Sequence, residues 1–183
     1  MEELLYPMIF KRKSFHIFKG TTSIHSSELK AIEETYQTFQ PLVSGIKTDI
    51  KIVPAEKTTC KRGEEFCILL YSEKKDHYLQ NIGYIGEQLD LYLSSLGIGA
   101  LWFGIGKPED AEYEYKKPGK RGIMPVDRVT YYNKIDIGIF LLFLDLCFAH
   151  EHIDFERTLH DDSSDHHAEK TLLATYRIFA RNT

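Results

Sequence analysis

The sequence predicts an α+β domain, and three observations support this class. Apolar residues recur every three or four positions between Asp76 and Leu96, which is the spacing of a helix with one face in the core. The segment TDIKIV (48–53) alternates like a half-buried strand, and FCILLY (66–71) is a continuous apolar run typical of a buried strand. The order of helical and strand patterns along the chain favours a layered α+β arrangement.

Two helices are predicted before the first strand. Residues 2–10 can form a short helix that runs into the basic residues 11–13, and a loop is expected at 20–23. Ser26 or Ser27 can cap the second helix, with Glu28 in its favourable first turn. Pro41 ends this element. Its apolar positions at helical spacing are Leu29, Ile32, Tyr36 and Phe39.

The helix over 76–96 is the strongest element, and its glycines carry information. Gly97 stands where a left-handed C-terminal cap belongs. Gly83 and Gly86 lie inside the helix, where each costs about 1 kcal/mol of helix propensity relative to Ala. We therefore expect these two glycines to admit the close packing of another helix.

The second half of the chain alternates apolar and polar segments. We expect a strand at 99–106, a loop at 107–133, a buried helix at 135–150, a mobile polar loop at 156–170 and a final strand at 171–179. There is no internal repeat and no linker. The 183 residues are therefore predicted to form a single domain over 1–183.

Composition excludes several classes of protein. The chain is 43% apolar and 27% charged, which is too apolar for a disordered protein. The net charge of -4, without a basic block, argues against binding to a nucleic-acid backbone. The longest apolar run, 137–144, is far shorter than the roughly 20 residues of a membrane helix.

The cysteines and the N-terminus predict a cytoplasmic protein. Cys60, Cys67 and Cys147 are odd in number and include no C-x-x-C pair, which argues against a disulfide scaffold. Cys67 and Cys147 lie in apolar runs and are predicted to be small core residues. The first residues carry acidic side chains where a signal peptide would be basic.

The glycine-rich segment GIGALWFGIGK (97–107) fits neither nucleotide-loop pattern. Trp102 replaces a glycine of the dinucleotide-binding pattern, and Ile105 replaces the lysine of the phosphate-loop pattern. The segment can be a helix cap followed by a buried strand. Alternatively, its glycines can let the backbone approach a planar ligand, with N–H groups free to bond a flavin ring.

Two polar segments are further candidates. Residues 12–16 combine two cations, a hydroxyl and an imidazole, which can grip a phosphate or an electron-rich heterocycle, although a solvated basic turn is the alternative. The histidine-rich stretch at 160–167 matches no zinc spacing, and no metal site is predicted there. No motif for hydrolysis is present, which favours cofactor chemistry.

Three blocks of sequence resemble the FMN-dependent nitroreductase family. Residues 12–18 are similar to its R-R-S-x-R-x-F opening. Residues 81–104 are similar to its central helix and the G-L-G-T-x-W-L-G that follows, and IDIGI (135–139) to its I-D-x-G-I-A helix start. The blocks keep the family's order and cover about half of the chain, and the closest subgroup is typed on thermophile proteins.

The resemblance implies a nitroreductase-like antiparallel sheet flanked by helices, in an intertwined homodimer with FMN at its interface. NAD(P)H would reduce the flavin, which would pass electrons to nitroaromatics, quinones or similar small-molecule acceptors. Hydride goes directly to the flavin, so no catalytic acid or base is implied. By position, the residues implied to bind FMN are Arg12, Lys13, Ser14, His16, Gly99, Ala100, Leu101 and Trp102, with Arg177 as a weaker phosphate candidate.

The chain departs from the family pattern at three places. Lys13 and His16 replace two arginines, and His16 is only partly charged near neutral pH. The subgroup's A-P-S-A-x-N-x-Q-P-W stretch, whose Asn contacts the flavin, is missing between residues 106 and 135. A flavin- or ligand-binding module without turnover is therefore the alternative to an enzyme, and composition alone also allows a structural or interaction protein.

Overall fold

The computed structural model describes residues 1–19, 23–104, 106–109, 128–160 and 172–179, and only the backbone of 128–130. Helices and strands are both present, as the α+β prediction requires. The described helices are α1 (Glu2–Leu5), α2 (Met8–Lys11), α3 (Ser26–Tyr36), α4 (Tyr78–Ser95) and α5 (Arg128–His150). The described strands are β1 (Thr48–Pro54), β2 (Phe66–Ser72), β3 (Phe155–Leu159) and β4 (Ala174–Ile178), and a 3₁₀ turn spans Ala55–Lys57.

Helices α4 and α5 form the centre of the described structure. Gly83 faces the backbone of α5, where a Cβ would overlap the carbonyl oxygen of Ile135. Gly138 faces α4 in the same way, where a Cβ would overlap the carbonyl oxygen of Gln80. The two helices therefore touch through their backbones. This confirms the expected close packing for Gly83, whereas Gly86 makes room for the side chain of Trp102 instead.

The four strands form two separate antiparallel pairs. Strand β1 pairs with β2 in the register Ile50–Leu70 and Val53–Cys67, and β3 pairs with β4 in the register Arg157–Tyr176. The strands predicted at 48–53 and 66–71 are thus confirmed, and the last strand is present over Ala174–Ile178.

Each strand pair contributes to one of two apolar clusters along α4. One cluster joins α3 and β1 to α4, and its buried members are Ile32, Tyr36, Phe39, Ile50, Ile85, Leu89 and Leu93. The other joins α1 and α5 to α4, and its buried members are Leu5, Leu42, Tyr84, Leu91, Leu141, Leu142 and Leu146. Half-buried residues of β3 and β4 pack against this second cluster.

A polar network links α4 and α5 to the second strand pair. The hydroxyl of Tyr84 donates to Asp145 at 2.7 Å, and that of Tyr176 donates to the other carboxylate oxygen at 2.9 Å. Arg157 forms an ion pair with the same carboxylate. Burial raises the pKa of Tyr84 and that of Tyr176, the latter to about 12, so both stay protonated donors.

Several predicted boundaries are wrong. Residues 99–104 and 106 form no strand but only a single bridge, between Ser14 and Ala100. Helix α5 begins at Arg128 rather than at Ile135, because the glycines and prolines of this region all precede residue 128. Strand β3 reaches Leu159, inside the predicted polar loop, and residues 161–171 lie outside the described part.

Other differences concern caps and burial. Helix α3 begins at Ser26 with His25 as its N-cap, and the Glu28 carboxylate accepts the His25 backbone N–H at 2.7 Å. The helix ends at Tyr36, before Pro41. Strand β2 is half-buried rather than buried, because it pairs with β1 alone among the strands that the structure describes. Cys67 and Cys147 are likewise only half-buried.

Candidate functional site

Two segments singled out in the sequence lie side by side. Ser14 and Ala100 form a parallel bridge, and the backbone N–H of Phe15 donates to the carbonyl of Ala100 at 3.2 Å. The ring of Phe15 covers Gly99, where a Cβ would meet ring carbons at 2.8–3.1 Å. A glycine is therefore needed at 99 for this contact. The basic segment 12–16 and the glycine-rich segment 99–102 belong to one site.

Arg12 anchors the basic segment to α4. Its guanidinium donates from Nε and from a terminal nitrogen to Oδ2 of Asp90, both at 2.7 Å, and lies 3.5 Å from Glu87. It also donates to the hydroxyl of Ser14 at 3.3 Å. Arg12 thus faces buried carboxylates, whereas Lys13, Ser14 and His16 are exposed.

The glycine-rich segment is held to the same helix by Trp102. Its indole N–H donates to Glu87 at 2.9 Å, and its ring occupies the space left by Gly86. Neighbouring carboxylates of α4 therefore fix both segments, Asp90 through Arg12 and Glu87 through Trp102.

Burial changes the protonation of these carboxylates. Desolvation, together with the charge of Asp90, raises the pKa of Glu87 to about 7, although Arg12 and Trp102 oppose the shift. Desolvation also raises the pKa of Asp90, which Arg12 partly offsets. Asp90 makes the short contacts with Arg12, whereas the raised pKa of Glu87 leaves its carboxyl group partly protonated near neutral pH.

A cavity of about 430 Å³ opens next to the basic segment. Its lining residues are His16, Ile17, Thr59, Lys61, Arg62 and Phe103. Arg62 donates to the backbone carbonyl of His16 at 3.2 Å, and its guanidinium carbon lies 5.0 Å from the centre of the Phe103 ring. Two cations of one segment, Lys61 and Arg62, thus lie beside the imidazole of His16 from a distant segment, an arrangement suited to an anionic group.

Lys61 and Arg62 were not anticipated as site residues. Lys61 donates to the carbonyl of Thr58 at 2.9 Å and lies 3.8 Å from Glu109, with most of its side chain exposed. The sequence feature that could have identified them is a pair of basic residues before Gly63, in the turn between two predicted strands. Gly63 has a φ of 89°, and a Cβ there would overlap the carbonyl oxygen of Phe18.

Arg177, the remaining predicted phosphate ligand, contacts residues outside the candidate site. Its side chain is 75% exposed, lies 3.9 Å from Glu156 on the paired strand β3, and extends over the ring of Phe179. Within the ranges given for the structure, no hydrogen bond or ion pair joins it to the basic segment. The structure therefore brings residues 12–16 and 99–102 together, and its described contacts do not bring Arg177 to them.

The fold and the site define an α+β protein with a cation-lined cavity beside a glycine-rich backbone segment. A family model described as "Putative TM nitroreductase" matches residues 4–126, which is more than half of the chain. The chain belongs to this family, and the family membership suggests an oxidoreductase function. No curated protein and no solved structure matches the chain significantly.

The matched region contains the whole of the site just described. It includes the basic segment, the Lys61–Arg62 turn and the glycine-rich segment, whereas Arg177 and the predicted block at 135–139 lie outside it. Among the helices that the structure describes, none combines the length and the apolar character needed to cross a membrane.

The residues present fit a flavin mononucleotide. The side chains of Lys61 and Arg62 supply positive charge for a phosphate at the cavity, the imidazole of His16 can supply a hydrogen bond, and Phe103 supplies a flat apolar surface. The ring of Phe15, 45% exposed, covers Gly99 and would have to turn aside for an isoalloxazine ring to reach that backbone.

Proposed function

We propose that the protein is an FMN-dependent NAD(P)H oxidoreductase that reduces nitroaromatics, quinones or similar small electron acceptors. The observation that carries this proposal is the pairing of segment 12–16 with segment 99–102 beside a cation-lined cavity. These segments are separated by more than 80 residues, and the family membership of the chain supports their joint role.

The chain's own residues would bind and orient the cofactor. Lys13, His16, Lys61 and Arg62 would neutralise the phosphate, and Ser14 would donate to a phosphate or ribityl oxygen. Arg12 would position the segment 12–16 through its bonds to Asp90, and its N–H groups that do not bond Asp90 would be available to the cofactor. When bound, the flavin supplies the hydride acceptor and donor, and backbone groups of 99–102 would orient its ring.

The proposal includes a homodimer. Large apolar side chains remain exposed on the described chain, among them Phe140 of α5 at 58% and Ile17 beside the cavity at 69%. A second copy would cover this surface and complete the walls of the site. The three free cysteines support a reducing compartment, for which we propose the cytoplasm.

A second candidate function is a flavin- or ligand-binding module of the same fold without turnover. Two observations favour it. The sequence has no A-P-S-A-x-N-x-Q-P-W stretch, and the Phe15 ring covers Gly99. Binding of FMN without oxidation of NADH or NADPH would select this candidate.

The experiment is a visible absorbance spectrum of the purified protein, repeated after adding FMN and desalting. A retained flavin spectrum, together with NADH or NADPH oxidation that depends on an added quinone, is the expected result. A colourless protein that retains no added FMN would overturn both flavin candidates.

A matched pair of variants locates the site. Lys61→Ala should weaken FMN binding by about tenfold or more, since it removes a charged hydrogen bond to the phosphate. Lys30→Ala, on the exposed surface of α3, removes the same charge and should leave FMN affinity unchanged. Equal affinities for the two variants would exclude the cavity at Lys61 as the phosphate site.

A further inference from the structure

The hairpin between β1 and β2 gathers two thiols and a carboxylate. One ligand atom from each of Cys60, Glu64 and Cys67 lies within 4.8 Å of the other two, and all three residues are half-buried. Cys67 is the second residue of β2, while Cys60 and Glu64 belong to the connecting loop. The cluster combines residues seven apart in sequence and lies outside the proposed flavin contacts.

Neighbouring polar groups hold these side chains in place. The hydroxyl of Thr58, a residue only 1% exposed, accepts the backbone N–H of Cys60 at 3.2 Å and lies 3.3 Å from the sulfur of Cys67. The backbone N–H of Arg62 donates to Oε2 of Glu64 at 2.7 Å. Each of the three residues thus has a contact that fixes its backbone or its ligand group before any ion binds.

The other oxygen of Glu64 reveals a missing partner. Oε1 is buried and has no hydrogen-bond partner among the residues that the structure describes, and a buried carboxylate oxygen without a partner costs free energy. The two thiols beside it are weak donors at best.

The spacing of the cluster suits a tetrahedral ion. With Zn–S bonds of about 2.3 Å, two thiolates on one zinc ion lie about 3.8 Å apart, within the separation seen here. Thiolate ligands favour zinc over magnesium or calcium, which prefer oxygen-only sites. A carboxylate as third ligand leaves a fourth position for water.

We propose that Cys60, Glu64 and Cys67 form a binding site for one Zn²⁺ ion, with water as the fourth ligand. On binding, each thiol transfers its proton to solvent as its sulfur bonds to zinc, so two protons are released for each ion bound. No electron is transferred. The ion would clamp the loop that carries Lys61 and Arg62, since both lie between two of its ligands.

The ion explains the cluster better than a disulfide does. A bond between Cys60 and Cys67 would consume both thiols but leave Oε1 of Glu64 buried without a partner. The sulfur of Cys60 also packs against Gly106, where a Cβ would approach it to 2.9 Å, so the site is closed on that side. Two thiols and a carboxylate oxygen within 4.8 Å of one another are spaced as the ligands of a metal site.

The test uses Co²⁺ and Zn²⁺ on the full-length, reduced and metal-free protein. Addition of Co²⁺ should produce a thiolate-to-cobalt charge-transfer band with one ion per chain, and Zn²⁺ should abolish it. Cys60→Ser and Cys67→Ser should weaken binding by about 100-fold or more, and Glu64→Gln by about tenfold. Cys147→Ser, a change of the remaining cysteine on α5, should leave the titration unchanged.

Two results would overturn the proposal. One is the absence of a thiolate-to-cobalt band. This result also covers Co²⁺ that binds only to the histidines and carboxylates of 160–167, because these ligands give no such band. The other is a disulfide between Cys60 and Cys67 in protein purified without reductant. It would be identified by a molecular mass lower by two hydrogens and by one titratable thiol in place of three. Because no flavin takes part, failure of this test leaves the proposed oxidoreductase function unaffected.

Discussion

Arg12 is the residue on which the arrangement of the site depends. The family resemblance implies a cofactor ligand, and the structure shows a side chain committed to Asp90 and close to Glu87. An arginine that holds two buried carboxylates fixes the direction of the chain that follows it. The exposed residues after it, Lys13 to His16, then lie against Ala100 and beside the cavity.

Arg12→Ala should therefore lower the stability of the protein as well as its flavin affinity. Removing one partner of a buried ion pair leaves an uncompensated charge, and we expect a loss of about 3 kcal/mol in the free energy of unfolding. Chemical denaturation measures the stability and FMN titration measures the affinity.

Lys13→Ala is the matched control for that experiment. Its side chain is exposed, so we expect no change in unfolding free energy but an FMN affinity lower by about tenfold. If Arg12→Ala is as stable as the unchanged protein, the contact with Asp90 does not contribute as the structure indicates.

Glu87 makes the stability depend on pH in a defined direction. Its pKa is about 7 in the folded protein against an ordinary value of 4.5, so the folded state binds more protons than the unfolded state between these values. The contribution of Glu87 to stability is therefore greatest below pH 4.5 and is lost as pH rises to about 7. The expected loss, complete once the pH has risen through about 7, is on the order of 3 kcal/mol.

Glu87→Gln tests this assignment. Glutamine is neutral at all pH values and can still accept the indole N–H of Trp102. The variant should gain stability relative to the unchanged protein near pH 8, and this gain should shrink towards pH 5. Denaturant unfolding at both pH values provides the comparison, and a difference independent of pH would refute the raised pKa.

At the scale of elements, the contact between α4 and α5 depends on two glycines. Gly83 and Gly138 allow each backbone to approach the other more closely than a Cβ permits. Helix propensity alone would favour alanine at both positions by about 1 kcal/mol. The packing requirement outweighs that preference, which is why glycines persist within two long helices.

Gly83→Ala should destabilise the protein by about 2 kcal/mol or more, because the added methyl group forces the two helices apart. Thermal or chemical unfolding measures the effect. Gly45→Ala is the control, since a Cβ at this loop position meets nothing within 4 Å and should change the stability little. A stabilised Gly83→Ala protein would mean that propensity governs this position.

At the scale of the whole molecule, the exposed apolar surface bears on assembly. Helix α5 is apolar on most sides, yet only part of it is covered by α4, and Phe140 stays 58% exposed. If a second copy covers this surface, light scattering coupled to size-exclusion chromatography should give a molar mass twice that of the chain.

Phe140→Glu should shift that equilibrium towards the monomer, because it places a charge in the covered surface. Lys30→Glu, on the exposed surface of α3, serves as the control and should leave the mass unchanged. A monomeric mass for the unchanged protein would exclude the proposed dimer.

Local patterns in the sequence predicted most of the elements. The long helix α4, the strands β1 and β2 and the final strand follow from hydrophobic spacing, and Gly97 has the left-handed φ of 77° that its position predicted. For the segment 99–106, hydrophobic spacing did not predict the structure. It is as apolar as a strand, but an apolar run shows only that residues avoid water and not which partner covers them.

The sequence by itself determined the α+β class, the main helix and strands, the family, and the segments expected to bind a cofactor. The tertiary structure alone decided which distant groups meet, namely Arg12 with Asp90 and Arg62 with His16. The physical reason is that periodicity reports the environment of each residue, buried or exposed. Contacts between distant residues, such as the ion pair of Arg12 with Asp90, instead depend on long-range approach of the chain, which local spacing does not specify.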